Sequence, residues 1–194
     1  MTSFTHHFAL ADDKSFDAPS MGDIVKPHMK DGFGAEFWIV DDNENVERWY
    51  PEDLRGLQPA LVTVRHKPLR LLVFLVDPGH MRTTDHDGNV MIVSDVTYDV
   101  AVIQPTGQIK DGCKAVTGWS GSAPSPHLMH VAKGTIKVSF EALDPLGTYT
   151  VAVLVHDNIR KVDIPLSHTI KLRELDANPE KDKNKGWNTS LGGP

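Results

Sequence analysis

A single cysteine, Cys113, occurs in the 194 residues of the chain. No internal disulfide can form, and multi-cysteine zinc and iron–sulfur sites are excluded. Long apolar runs are also missing. The longest, residues 71–76, has the length of a strand and falls far below the roughly 18 residues that cross a bilayer as a helix. Positive charge is in short supply: 20 Lys and Arg face 26 Asp and Glu, a formal charge of −6. That balance argues against a nucleic-acid surface, which needs a basic patch to neutralise phosphates. The glycine-rich phosphate cradles are absent as well. A parallel α/β sheet would require repeated crossover helices, and the sequence has no room for them.

What is present is an ordinary globular balance, 40% hydrophobic and 24% charged, with alternation as its dominant pattern. Phe33, Ala35, Phe37 and Ile39 share one parity. Val96, Tyr98, Val100 and Val102 oppose Thr97 and Asp99. Ile136, Val138 and Phe140 oppose lysine, serine and glutamate. Tyr149, Val151, Val153 and Val155 follow, then Ile170 and Leu172. Residues 69–76 are apolar on both parities after Arg70, as in a strand covered on both faces. Period-2 patterns rich in Val, Ile, Thr and aromatics mark half-buried strands. Gln104-Pro105-Thr106-Gly107 and Asp144-Pro145-Leu146-Gly147 have the form of turns, and Asp157-Asn158 suits a tight connection. Residues 44–50 are the one segment with helical spacing, capped by Asp42 or Asn43 and stopped by Pro51. Val46, Trp49 and Tyr50 would face the sheet. The expected fold is therefore all-β: an antiparallel β-sandwich with one short helix, its C-terminal half immunoglobulin-like by the resemblance at Tyr149 described next. Residues 1–30 read as an irregular arm, 31–175 as the sandwich domain, and 176–194 as a flexible charged tail.

Tyr149 follows the turn at Gly147 and sits two residues before the inward Val151. This arrangement resembles the tyrosine corner of immunoglobulin-like sandwiches, whose hydroxyl bonds back to the corner backbone. It implies last strands over 135–142, 148–156 and 162–172. The layout also resembles a group of uncharacterised exported bacterial proteins. The likeness rests on Gly32-Phe33-Gly34-Ala35-Glu36-Phe37-Trp38, an acidic turn before a tryptophan helix, Asp95-Val96-Thr97-Tyr98-Asp99 and Gly147-Thr148-Tyr149, over residues 33–172. It implies export and no particular activity. Ala9-Leu10-Ala11 has the small-x-small form of a signal-peptidase site. The eight residues before it supply neither a basic n-region nor an apolar h-region. A periplasmic or secreted location is expected if a leader precedes Ala9, and a cytoplasmic one if the given N-terminus is complete.

Ten histidines make metal binding the first chemistry to weigh. His127 and Met129 are two apart and His130 adjoins them. Imidazole with thioether is a soft set that favours copper, and His80 and His86 could add nitrogen ligands, for copper or zinc. The bland alternative is a surface loop. Asp85, Asp87 and Asn89 alternate as calcium ligands do, but Gly88 is misplaced for an EF-hand and no glutamate stands twelve along, which leaves a polar hairpin turn. Gly118-Trp119-Ser120-Gly121 misses the hydrolase elbow by one residue. Cys113 beside Lys114 could be mildly activated. Trp38, Trp49, Tyr50 and Trp119 could form a glycan platform or simply fill a core. The expected function is a non-enzymatic binding or structural module. It would meet a protein or glycan through loops at a sandwich end (112–126 and 80–89) or through an edge strand. A periplasmic copper or zinc protein using His127, Met129, His130, His80 and His86, and a sandwich-fold hydrolase, stand as alternatives.

Overall fold

The computed structural model describes residues 26–42 and 57–175. The expected helix over 44–50, the Ala9-Leu10-Ala11 site, the charged tail, Trp49 and Tyr50 lie outside the described residues. Eleven strands form among those described: β1 (His28–Lys30), β2 (Phe33–Asp41), β3 (Val62–Val64), β4 (Leu69–Val76), β5 (Met81–Thr84), β6 (Val90–Ile103), β7 (Ile109–Ser122), β8 (Met129–Val131), β9 (Ile136–Val138), β10 (Gly147–Asp157) and β11 (Val162–Arg173). No helix among them is long and apolar enough to cross a membrane.

The strands make two sheets. One runs β1-β2-β4, with β8 and β9 sharing the far edge of β4. The other runs β3-β11-β10-β6. Val93 of β6 pairs with Met81 of β5 and with Ser122 of β7, so those two strands border β6 on opposite edges. All pairings are antiparallel except β3 with β11.

The alternation explains the layering. Phe33, Phe37 and Ile39 of β2 and Leu71, Val73 and Leu75 of β4 point inward from one sheet. They meet Val96, Tyr98, Val151, Val153, Val155, Ile164 and Leu166 from the other. This common interior supplies the hydrophobic stabilisation of the fold, roughly 1.5–3 kcal/mol for each large aliphatic side chain removed from water. The double-sided apolar run of β4 has its counterpart in a second, smaller cluster. Trp38, Val40, Leu57, Leu72 and Phe74 are buried on the outer face of the first sheet, so β2 and β4 are covered on both sides.

The corner at Tyr149 forms as expected. Its ring is fully buried, its hydroxyl donates to the Pro145 carbonyl at 2.8 Å, and it packs against Phe140 with centroids 4.6 Å apart. The strands around it are β9, β10 and β11, with β9 shorter than its alternation suggested.

Three expectations need correction. Residues 81–84, placed within the 80–89 loop, form β5, paired with β6. Residues 28–30, assigned to an irregular arm, form β1, which pairs Met29 with Gly34. Residues 112–122, expected as a loop, belong to β7. That strand carries three register shifts against β6, and Ala115 adopts φ 53°. Bulges of this kind break the side-chain alternation, and the glycines at 112, 118 and 121 read as loop signals. Both hid a 14-residue strand.

Candidate functional site

Four connections converge at one end of the sandwich: Asp31-Gly32 between β1 and β2, residues 77–80 between β4 and β5, residues 123–128 between β7 and β8, and residues 158–161 between β10 and β11. Their organiser is Asp157, the last residue of β10, whose carboxylate is 1% exposed. It accepts from the Gly79 amide at 2.5 Å, the Ile159 amide at 3.0 Å and the Arg160 amide at 2.9 Å. A buried carboxylate is tolerated because these donors replace its water. The same three bonds fasten the β4–β5 connection to the β10–β11 turn. Gly79 is required for close approach, since a Cβ there would lie 2.7 Å from Asp157 Oδ1 and 2.7 Å from Arg160 Cγ.

From this anchor the contacts run outward. Arg160 Nη1 donates to the Asp77 carbonyl at 2.8 Å. The Asp77 carboxylate accepts from the His127 amide at 2.5 Å and meets His127 Nδ1 at 3.1 Å. A carboxylate only accepts, so the His127 ring carries its proton on Nδ1 and leaves Nε2 as an acceptor when neutral. Asp77 and His127 both hold left-handed backbone, φ 47° and 60°. Such conformations in non-glycine residues cost about 1–3 kcal/mol each and cluster where the surrounding structure over-determines them. The resulting cleft has a volume of about 340 Å³ and is walled by Pro78, Pro124 and Pro126, with His80, His127 and Arg160 supplying its polar groups.

Of the five proposed metal ligands, His80 and His127 share this cleft. His130 turns elsewhere: its Nε2 meets the Ser125 carbonyl at 3.0 Å and its ring packs edge-on against Trp119. Met129 packs against the outer apolar cluster with Val131. His86 stands in solvent at the tip of the β5–β6 hairpin, 3.3 Å from the Asp87 carboxylate. Among the described residues no three His, Cys, Asp or Glu side chains come together as a metal-holding group. Asp85 is taken up by that hairpin, accepting from the Asn89 amide and side chain at 2.7 and 3.0 Å. Those bonds with Asn89, followed by the Asp87 and Gly88 amides, hold its carboxyl below the usual value.

The nucleophile candidates sit on β7. Ser120 pairs with Asp95, and Cys113 is half-buried. Burial pushes the Cys113 thiol pKa up, with Asp111 and Asp99 adding to the effect, so its thiolate is disfavoured despite Lys114.

Sequence reasoning missed Asp77 and Arg160. The signal was faint: Asp77-Pro78-Gly79 ends the long apolar strand as a breaker. It also missed Glu36, which is 7% exposed. Glu36 Oε1 accepts from the Phe37 amide at 2.7 Å and lies 2.9 Å from His168 Nε2. Oε2 lies 3.5 Å from His28 Nδ1. His168 also borders an apolar niche of about 210 Å³ beside Phe37, Trp38 and Leu61.

No family model matches the chain, and no curated protein matches it. Among solved structures, a family 123 glycoside hydrolase from Clostridium perfringens aligns at 11% identity and a TM-score of 0.43, over 74% of this chain and 28% of that one. This chain thus spans little more than a quarter of the hydrolase's length. A Niemann-Pick type C2 protein from the Japanese carpenter ant aligns at 8% identity and a TM-score of 0.36, over 71% and 89% of the two chains. Likenesses this distant carry no argument about activity.

Proposed function

We propose that the chain is a non-enzymatic binding module whose partner, a protein or a glycan, enters the cleft at this end of the sandwich. One observation carries the reading: the Asp157–Gly79–Arg160–Asp77–His127 chain of contacts ties three of the four connections into one pre-formed concave surface. Loops held in advance by a rigid scaffold lose less entropy on binding than loops ordered by the ligand. The absence of covalent chemistry is part of the proposal. Among the described residues, the hydrogen bonds of His127 all run to Asp77, so the pair has no hydroxyl or thiol to activate. We place its work in the periplasm or outside the cell if a leader precedes Ala9-Leu10-Ala11, and in the cytoplasm otherwise.

The test is a panel of oligosaccharides and peptides screened by amide chemical shifts on the labelled protein, repeated on a His127→Ala, Arg160→Ala double variant. Hits that move the amides of Gly32, Gly79 and Arg160 and vanish in the variant support the module. If every hit maps to the outer edge of β7, or if the double variant binds as well as the parent, the reading is overturned.

A further inference from the structure

We infer that the cleft recognises a carboxylate flanked by a hydroxyl, as in a sugar acid, with Arg160 taking the carboxylate and His127 the hydroxyl. The inference rests on the binding-module reading and specifies its ligand.

Charge accounting comes first. Five ionisable groups belong to the cleft: Asp77, His80, His127 and Arg160 line it, and Asp157 anchors two of its connections. The Asp157 charge is spread over three backbone donors and buried. Both Asp77 oxygens are occupied by His127. Arg160 is different: among the described residues its guanidinium makes one hydrogen bond, to the Asp77 carbonyl, and no ion pair. A guanidinium has five N–H donors in a planar fork that matches a carboxylate edge-on. Arg160 is therefore the cation of this framework with unused donors, and its fork has the shape that fits a carboxylate, beside the Asp77 and Asp157 charges.

Geometry supplies the second half. Arg160 and His127 are both tethered to Asp77, one to its carbonyl and the other to its carboxylate. A donor fork and an acceptor nitrogen are thus both tethered to a single residue. With Nδ1 committed to Asp77, neutral His127 presents the Nε2 lone pair, which accepts from an O–H but repels a second carboxylate oxygen. A ligand satisfying both needs an acceptor anion and a neighbouring donor. The cleft, at about 340 Å³, lies at the small end of the range for small-molecule sites. Pro78, Pro124 and Pro126 add apolar surface to its lining.

The test uses the full chain and two probes of the same ring, D-glucuronate and D-glucose, with binding read from amide shifts and calorimetry. Glucuronate should move the amides of Gly32, Gly79 and His127, and glucose should leave them in place. Arg160→Gln should weaken glucuronate roughly tenfold or more, since charge-assisted bonds exceed neutral ones. Arg160→Lys should fall between, keeping the charge without the fork. An amide spectrum matching the parent outside the cleft shows that each variant is folded. Glucose binding as well as glucuronate, or glucuronate binding unchanged by Arg160→Gln, overturns the carboxylate claim and leaves the module standing. If glucuronate leaves the cleft untouched while a neutral glycan or peptide occupies it, the carboxylate claim again fails alone. If neither probe nor any panel member reaches the cleft, both readings fall.

Discussion

Gly79→Ala is the smallest change that addresses how the cleft is held. The backbone at Gly79 is not in the left-handed region, so alanine meets no conformational penalty there. The cost is steric: the new methyl would stand 2.7 and 2.8 Å from the two Asp157 oxygens, closer than a methyl can sit. Arg160 Cγ, also at 2.7 Å, can move only by disturbing the Arg160 contact with the Asp77 carbonyl. Asp157 cannot withdraw without loss, because it is 1% exposed and holds three amides. Breaking one hydrogen bond to a buried charged group costs about 1.5–3 kcal/mol. We expect a loss of about that size in urea unfolding, with m unchanged. Amide shifts should concentrate at residues 77–80 and 158–161 and reach His127. A variant of parental stability whose shifts stay within two residues of the substitution would refute the claim that Asp157 organises the cleft.

Three further predictions concern the body of the fold. Tyr149→Phe removes the donor to Pro145 and leaves a shielded carbonyl, for a loss of about 1–3 kcal/mol, read as a fall in Tm of roughly 2–4 °C per kcal/mol; an unchanged Tm would show the corner bond to be idle. Burial, with a smaller push from Cys113, raises the Tyr98 phenol to about 12. The folded state thus favours the protonated form, its contribution is intact below pH 10, and stability falls as pH rises from 10 towards 12. Two pKa units correspond to roughly 3 kcal/mol at the very most, less with solvent screening, and Tyr98→Phe should abolish that part of the alkaline loss; an identical alkaline profile would contradict it. Asp42 behaves oppositely. The hydrogen bond from Lys137 and the charge of Arg70 outweigh burial and hold its carboxyl below the usual 3.8, so its stabilisation is present above pH 3.8 and is lost as pH falls through the lower folded value. Asp42→Asn should be less stable than the parent at neutral pH and should converge with it in acid, where parallel curves would exclude the linkage.

The parts of the fold that could be read from sequence were those governed by alternation. Val96 and Ile170 announce an inward face because the residues on either side of them are polar, Phe33 and Tyr149 because aromatic and aliphatic residues recur with period two, and all four are buried. The Tyr149 corner was legible because a glycine turn and an inward valine fix its spacing. β7 was not, since bulges cancel alternation and its glycines mimic a loop. The cleft was hidden for a different reason. Asp77, His127 and Arg160 come from three separate connections, up to 83 residues apart in sequence, and nothing local marks them as neighbours. His127 was singled out on a ligand spacing, yet its structural partner is Asp77, 50 residues away. Glu36 was noted only within the stretch 32–38, although it is buried against His168 of the opposite sheet.

The central claim is that Asp77 holds the His127 ring by Nδ1 and so leaves Nε2 as the acceptor. Long-range proton–nitrogen correlation on the imidazole, at a pH where the ring is neutral, reads the tautomer directly. The account predicts the Nδ1–H form in the parent and a shift towards the ordinary Nε2–H form in Asp77→Asn. A parent ring already in the Nε2–H form would contradict it.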